Sequence, residues 1–175
     1  MLTLALASDI AAATAINPTE YIISLSIKVQ TWLQSIKSPQ ISKLSTARVE
    51  AHINSNTAYI FLNDRGVPIG STFIEPLPER CFLDWNLTDL DIRSSLFMTR
   101  FLLDPEYIGK KIGDNMICQI KDKCVKEGKV MVLDTLETNT AVRRFYERNG
   151  FVFRGIFTDM EGNLEVVVAC YVWKP

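Results

Sequence analysis

The stretch from Ser95 to Ile120 constrains the fold of this chain more than any other. Ser95 to Leu103 is a run of β-forming residues that ends at Asp104-Pro105. A short loop carrying Gly109 and Gly113 follows, and apolar residues at helical spacing begin at once. Strand, glycine-bearing turn and helix in that order place backbone N–H groups beside the positive end of a helix, which is an arrangement suited to holding phosphate.

The flanking sequence supplies the rest of a mixed α/β domain. Leu2, Leu4 and Leu6 alternate with Thr3 and Ala5 as a first strand, and Ser8 or Asp9 is placed to cap a short alanine-rich helix. Asn17-Pro18-Thr19-Glu20 is a stronger helix start, because asparagine caps, proline suits the first helical position and Glu20 stands at a capping-box position. Ile22, Leu25, Val29, Trp32, Leu33 and Ile36 then share one face, which reads as core packing. After Ser38-Pro39, Ile41 to Ile53 predicts a second helix of weaker amphipathicity. Thr57 to Leu62 and Val67 to Glu75 flank Asn63-Asp64-Arg65-Gly66, a hairpin signal. The Gly66–Thr72 segment lacks the lysine and spacing of a phosphate loop and lies inside that hairpin.

Pro76 to Asp91 reads as a long loop of prolines, aspartates and the aromatics Phe82 and Trp85. The helix after the glycine loop runs to Glu127 and stops at Gly128. Val130 to Leu133 is fully apolar, as in a strand buried on both faces. Asn139 to Asn149 is a compact helix stopped by Gly150, and Phe151–Phe157 with Leu164–Trp173 forms a closing hairpin around Asp159 to Asn163. About seven strands and a single domain over 1–175 are expected.

Composition narrows the partners. With 19 basic and 20 acidic residues the net charge is −1, so no bulk field attracts nucleic acid or an anionic membrane, and an anion site has to be local. Cys81, Cys118, Cys124 and Cys170 form no CxxC pair, and the single histidine, His52, has no companion for a zinc cluster, so no metal is expected. Buried free thiols suit a reducing cytoplasm, the N-terminus lacks the basic start of a signal peptide, and no apolar run reaches membrane-spanning length.

Two segments carry a family resemblance: Leu102 to Gly113 (LLDPEYIGKKIG) and Asn139 to Phe151 (NTAVRRFYERNGF). In this order, with a helix and short strand between, they resemble the GNAT superfamily of N-acetyltransferases. The second segment is the more specific, with Asn139, Tyr146 seven residues on, and Gly150-Phe151 closing the helix. The first is similar to the family's acetyl-CoA loop, but Ile108 stands where Arg or Gln is usual and Lys111 stands at the first motif glycine. The resemblance covers the C-terminal half well and the N-terminal half only through element order.

The resemblance implies a GNAT-like fold: a mostly antiparallel mixed sheet flanked by helices and splayed between its fourth and fifth strands, here Ser95–Leu103 and Val130–Asp134. It also implies a cofactor site in which the main chain of Phe101, Leu102 and Leu103 pairs with the pantetheine arm of acetyl-CoA. Amides of Ile108, Gly109, Lys110, Lys111, Ile112 and Gly113 would cradle the pyrophosphate, and Asn139 would hydrogen-bond the arm. Lys110, Lys111, Arg143 and Arg144 are local cations that suit the phosphates. Tyr146 is the implied acid for the departing thiolate; core packing beside Phe145 and Phe151 is the plainer use of the same side chain.

No carboxylate lies in Ser95–Leu103, so the general base stays open among Glu75, Asp84, His52, a water chain and an amine that arrives unprotonated. The activity implied is direct acetyl transfer from acetyl-CoA to a primary amine of a small molecule, with no cysteine nucleophile. A protein or peptide N-acetyltransferase is the alternative, as is a non-catalytic acyl-CoA-binding regulatory module. Trp32, Phe82 and Trp85 are candidates for lining an acceptor pocket, with core packing the plainer fate of each. Edge pairing through Leu164–Trp173 offers a route to a homodimer.

Overall fold

Strong local signals set most elements of the computed structural model, which describes residues 2–39, 42–161 and 164–175. The helix announced by Asn17-Pro18 is α2 (Pro18–Ser35), and the Asn17 side chain accepts from the Thr19 and Glu20 amides. It buries Ile22, Leu25, Val29 and Leu33, whereas Ile36, expected on the same face, lies past the helix end and is exposed. Before it come β1 (Thr3–Leu6) and α1 (Ala7–Ala13). Neither Ser8 nor Asp9 caps α1, because the helix starts at Ala7 and its cap position falls on Leu6. The Ser8 hydroxyl instead donates to Asn56 Oδ1.

The helix expected over Ile41–Ile53 is shorter, α3 (Thr46–Asn54), with the Ser45 side chain accepting from the Arg48 amide; Ile41 itself lies outside the described residues. A side-chain cap close to the apolar positions outweighs weak periodicity. β2 (Ala58–Leu62) and β3 (Pro68–Pro76) form the expected hairpin, with Gly66 at φ +74° and Asn63 Oδ1 accepting from the Arg65 and Val67 amides.

Pro76 to Asp91 is not simply a loop, since it contains α4 (Glu79–Asp84). Its tryptophan, Trp85, is 1% exposed and packs edge-on against Phe97, so it serves the core and not a pocket. β4 (Ser95–Leu103), α5 (Ile112–Glu127), β5 (Val130–Leu136), α6 (Thr140–Arg148), β6 (Val152–Glu161) and β7 (Leu164–Trp173) complete the chain. β6 runs four residues beyond the expected Phe157, and Gly162 and Asn163 of the expected turn lie outside the described residues.

The seven strands form one mixed sheet in the order β1-β2-β3-β4-β5-β7-β6. β4 and β5 pair in parallel, whereas β1–β2, β2–β3, β5–β7 and β6–β7 are antiparallel. β7 therefore has a strand on each side, and the homodimer route through its edge is closed; the edge strand at this end is β6.

The chain divides into two compact units. The first comprises Met1–Ile74 and Arg100–Ile120. In it, Ile10, Ile22, Val49, Ile60 and Phe73 form one apolar cluster, and Leu25, Val29 and Leu33 gather on Leu102 as another. Gly70 on β3 is required by close approach: a Cβ there would stand 2.7 Å from the Leu102 carbonyl oxygen and 2.6 Å from Met116 Cε. The second unit comprises Glu75–Thr99 and Lys121–Pro175. Its core joins Leu77, Cys81, Trp85, Leu87 and Phe97 to Val132, Val168, Cys170 and Val172.

Candidate functional site

In the first unit, the end of β4 and the loop after it carry most of the expected cofactor residues. Arg100 enters this segment at φ +52°, a break in regular strand geometry, and its guanidinium donates to the Ser42 carbonyl at 2.8 Å and to the Ser42 hydroxyl. Phe101 then meets Phe61 edge-on with centroids 6.1 Å apart, Leu102 is buried, and Leu103 ends the strand.

Asp104 caps the 3-10 turn Pro105–Tyr107 through a bond from the Glu106 amide, and Lys28 ties Asp104 and Glu106 together at 2.9 and 2.6 Å. Ile108 is exposed, Gly109 takes φ +81°, and Lys110 sits over the Tyr107 ring at 5.5 Å. Two of the amides expected to cradle a pyrophosphate are already engaged, Ile108 with the Pro105 carbonyl and Lys110 with the Tyr107 carbonyl, and at the start of α5 the Asn115 amide bonds the Lys111 carbonyl. The amides ahead of it belong to the first turn of α5, where a helix leaves its donors unpaired.

Lys111 has φ +59°. That is the left-handed conformation a glycine adopts without cost, held here by a lysine at the position where the family's glycine is usual. Nearby, Tyr21 of α2 is pushed well above the ordinary phenol range by burial and then by Asp104 and Tyr107, and its hydroxyl finds no hydrogen-bond partner among the described residues.

In the second unit, β4 and β5 pair over only four residues each, from Ser95 with Val130 to Met98 with Leu133, although both strands continue. Asp134, the next residue of β5, is half-buried and lies opposite Cys170 of β7. Asn139 is the N-cap of α6, its Oδ1 accepting from the Val142 amide at 3.3 Å. That fixes the side-chain oxygen and leaves the amide nitrogen as the end with donors to offer.

Tyr146 is 5% exposed, within rings of Phe145, Phe151 and Tyr171 at centroid distances of 5.3, 5.6 and 6.2 Å. Burial, and then the Asp134 charge, raises its phenol far above the ordinary range, so it stays protonated. Tyr171 accepts from Arg143 Nε at 3.1 Å and donates to Glu147 Oε1 at 2.8 Å, partners one turn of α6 apart that bracket Tyr146 in sequence. Arg143 also bonds the Glu137 carbonyl, so this expected phosphate cation belongs to the α6–β7 network, while Arg144 is exposed.

The candidate bases separate in the same way. His52 stacks on Phe73 with centroids 4.0 Å apart and bonds Thr57 Oγ1 through Nδ1, a structural role in the first unit. Asp84 is exposed at the end of α4, and Glu75 is half-buried near the end of β3. Burial pushes the thiols of Cys81 and Cys124 up to about 11 and that of Cys170 up to about 12, so all three are poor nucleophiles. Cys118, expected to be buried, is exposed on α5. Among the described residues no three His, Cys, Asp or Glu side chains gather to hold a metal, and no helix is long and apolar enough to cross a membrane.

Sequence reasoning missed Asp134 and Tyr171. A lone carboxylate in a strand and a tyrosine in an apolar run have no motif. The available signal was period two on β5, which puts Asp134 in the same row as Val132 and Leu136.

Known structures share this architecture. A GNAT-family acetyltransferase from Streptococcus agalactiae 2603 superposes with a TM-score of 0.75 at 14% identity, covering 99% of this chain and 95% of that one. One from Listeria monocytogenes 4b F2365 gives 0.72 at 19% identity, again covering 99% and 95%. The Salmonella typhimurium yncA structure, with its cofactor acetyl-CoA, gives 0.63 at 15% identity and covers 99% and 94%. At these identities the likeness is one of fold. No curated relative matches the chain by sequence. The model of the Acetyltransferase (GNAT) family, however, matches residues 27–151, which take in the glycine-bearing loop, α5, β5 and the whole of α6. With the sheet order and these two motif segments, that match settles kinship: the chain belongs to the GNAT acetyltransferase family.

Proposed function

We propose that the chain is an acetyl-CoA-dependent N-acetyltransferase, working as one domain over 1–175 in the cytoplasm, that passes the acetyl group directly to a primary amine of a small molecule. The observation that carries this reading is Tyr146, a buried phenol on α6, the helix that carries the more specific motif segment. A neutral phenol suits the protonation of a departing thiolate.

The residues present fit acetyl-CoA as cosubstrate. The first turn of α5 and Gly109 offer amides for a pyrophosphate, and exposed Lys110 and Lys111 add positive charge. Asp114, in the same first turn, opposes an anion, while the loop carboxylates Asp104 and Glu106 are paired with Lys28. Nothing lies within 4 Å of a Cβ built on Gly109, so the loop has room on that side. In this reading the main chain of Phe101–Leu103 pairs with the pantetheine arm and the Asn139 amide nitrogen donates to it. Backbone N–H groups hold the thioester oxygen, the amine attacks the carbonyl carbon, and Tyr146 gives its proton to sulfur.

The test is calorimetry with acetyl-CoA followed by thiol release across a panel of amines. Binding with turnover on at least one small amine is expected, and absence of binding at millimolar ligand would remove the reading. Tyr146→Phe should bind acetyl-CoA as the wild type does and turn over at least about 100-fold more slowly. A variant as fast as wild type would dismiss Tyr146 as the acid.

A further inference from the structure

On β5, alternate residues enter the apolar core of the second unit. Val132 faces Val172 across β7, and the next two pairs of that row are Asp134 with Cys170 and Leu136 with Val168. Val132, Val172, Cys170 and Val168 all belong to one buried cluster. Asp134 is thus a carboxylate set in a row of core positions, which acidic side chains seldom occupy. It is also the first residue of β5 beyond the last pair made with β4, Leu133 with Met98. Its charge is felt on both faces of the strand: by the Tyr146 phenol from α6, the Cys170 thiol from β7 and the Cys81 thiol from α4.

We infer that Asp134 is the general base that takes the proton from the attacking amine, an assignment that rests on the acetyltransferase reading above. The other carboxylates considered lack this position, since Asp84 is exposed and Glu75 belongs to another strand. The proton balance is simple. A substrate ammonium sheds two protons as its nitrogen becomes an amide. One passes to the Asp134 carboxylate and on to water. The other makes good the proton that Tyr146 delivers to sulfur as the C–S bond breaks and the N–C bond forms.

The phenol and the two thiols that Asp134 acts on are all raised and stay protonated near neutral pH, while Arg154, which also acts on Cys170, stays cationic. The arrangement therefore gives a specific pH signature. With a base in place, kcat/KM for the acceptor is nearly flat through neutral pH. Without one, the rate follows the free amine and climbs about tenfold per pH unit up to the amine's own pKa.

Asp134→Asn tests this. Its melting temperature and its coenzyme A affinity by calorimetry should match the wild type, its turnover near neutral pH should fall about 100-fold or more, and the deficit should shrink as pH rises. Turnover within about threefold of wild type would overturn the assignment, as would a deficit of the same size at every pH. Should the asparagine variant melt early, the wild type decides by itself. A nearly flat profile supports a base, and a profile that already climbs tenfold per unit through neutral pH overturns it. A wild type that binds acetyl-CoA yet releases thiol with no amine would instead fail the acetyltransferase reading and take this inference with it.

Discussion

At the residue scale, Lys111 departs from ordinary backbone economy, as Lys37 and Arg100 do elsewhere. A left-handed lysine costs about 1–2 kcal/mol, and a glycine there gives back part of that through its larger unfolded-state entropy. Lys111→Gly should therefore raise stability by about 0.5–1 kcal/mol, read from denaturant unfolding. The same change removes an exposed cation from the loop proposed for pyrophosphate. Coenzyme A should then bind about two- to fivefold more weakly at low salt, with the difference fading as salt rises. Retention of this residue against its conformational cost was invisible in the sequence, which shows the lysine but not its φ. Asp134 was hidden for a related reason: its meaning comes from the strands on either side of it, not from its neighbours in the chain.

At the element scale, α6 was the most legible piece. Asn139 begins it, Gly150 at φ +76° follows it, and both are local backbone signals that need no tertiary context. β4 was legible for the same reason, since its β-forming run stops at a proline. α4 was not, because six residues after Pro78 with no capping side chain leave no periodicity to read. Asn139 allows a clean separation of roles. Asn139→Asp keeps a side-chain oxygen for the Val142 amide and adds a charge favoured at a helix start, so α6 should lose little stability. It lacks the donor proposed for the pantetheine arm, so acetyl-CoA affinity should drop by about tenfold, seen by calorimetry. Asn139→Ala should lose both, with a stability cost of about 1 kcal/mol.

At the scale of the whole molecule, the fold class was legible while the strand order at its far end was not. Pairing of Leu164–Trp173 with both β5 and β6 is decided by contacts distant in sequence, and a strand's own residues do not say whether it is an edge. Stability against acid also belongs to this scale. Burial, and then Arg48, lowers the His52 pKa below its ordinary value, so folding favours the neutral ring. The unfolded chain then binds more protons than the folded one as pH falls. This stabilisation is fully present above about pH 6.5 and is lost as pH drops below it toward the folded value. Urea melts taken across that window should show lower stability at the acid end, and the loss should be smaller in His52→Gln. Asp89 and Asp91, held below the usual carboxylate range by Arg154 and Ser94 respectively, act only at lower pH.

The placement of β7 between β5 and β6 bears on how the chain is born. Synthesis delivers β5 first, then α6 and β6, and only afterwards the strand that joins them. Until Leu164–Trp173 has left the ribosome, β5 and β6 have no common partner, and Val132, Phe157 and the ring of Tyr146 lack the surface they will cover. Vectorial folding thus stops one strand short, and a nascent chain stalled before Leu164 would be a natural client for a chaperone that binds apolar β segments.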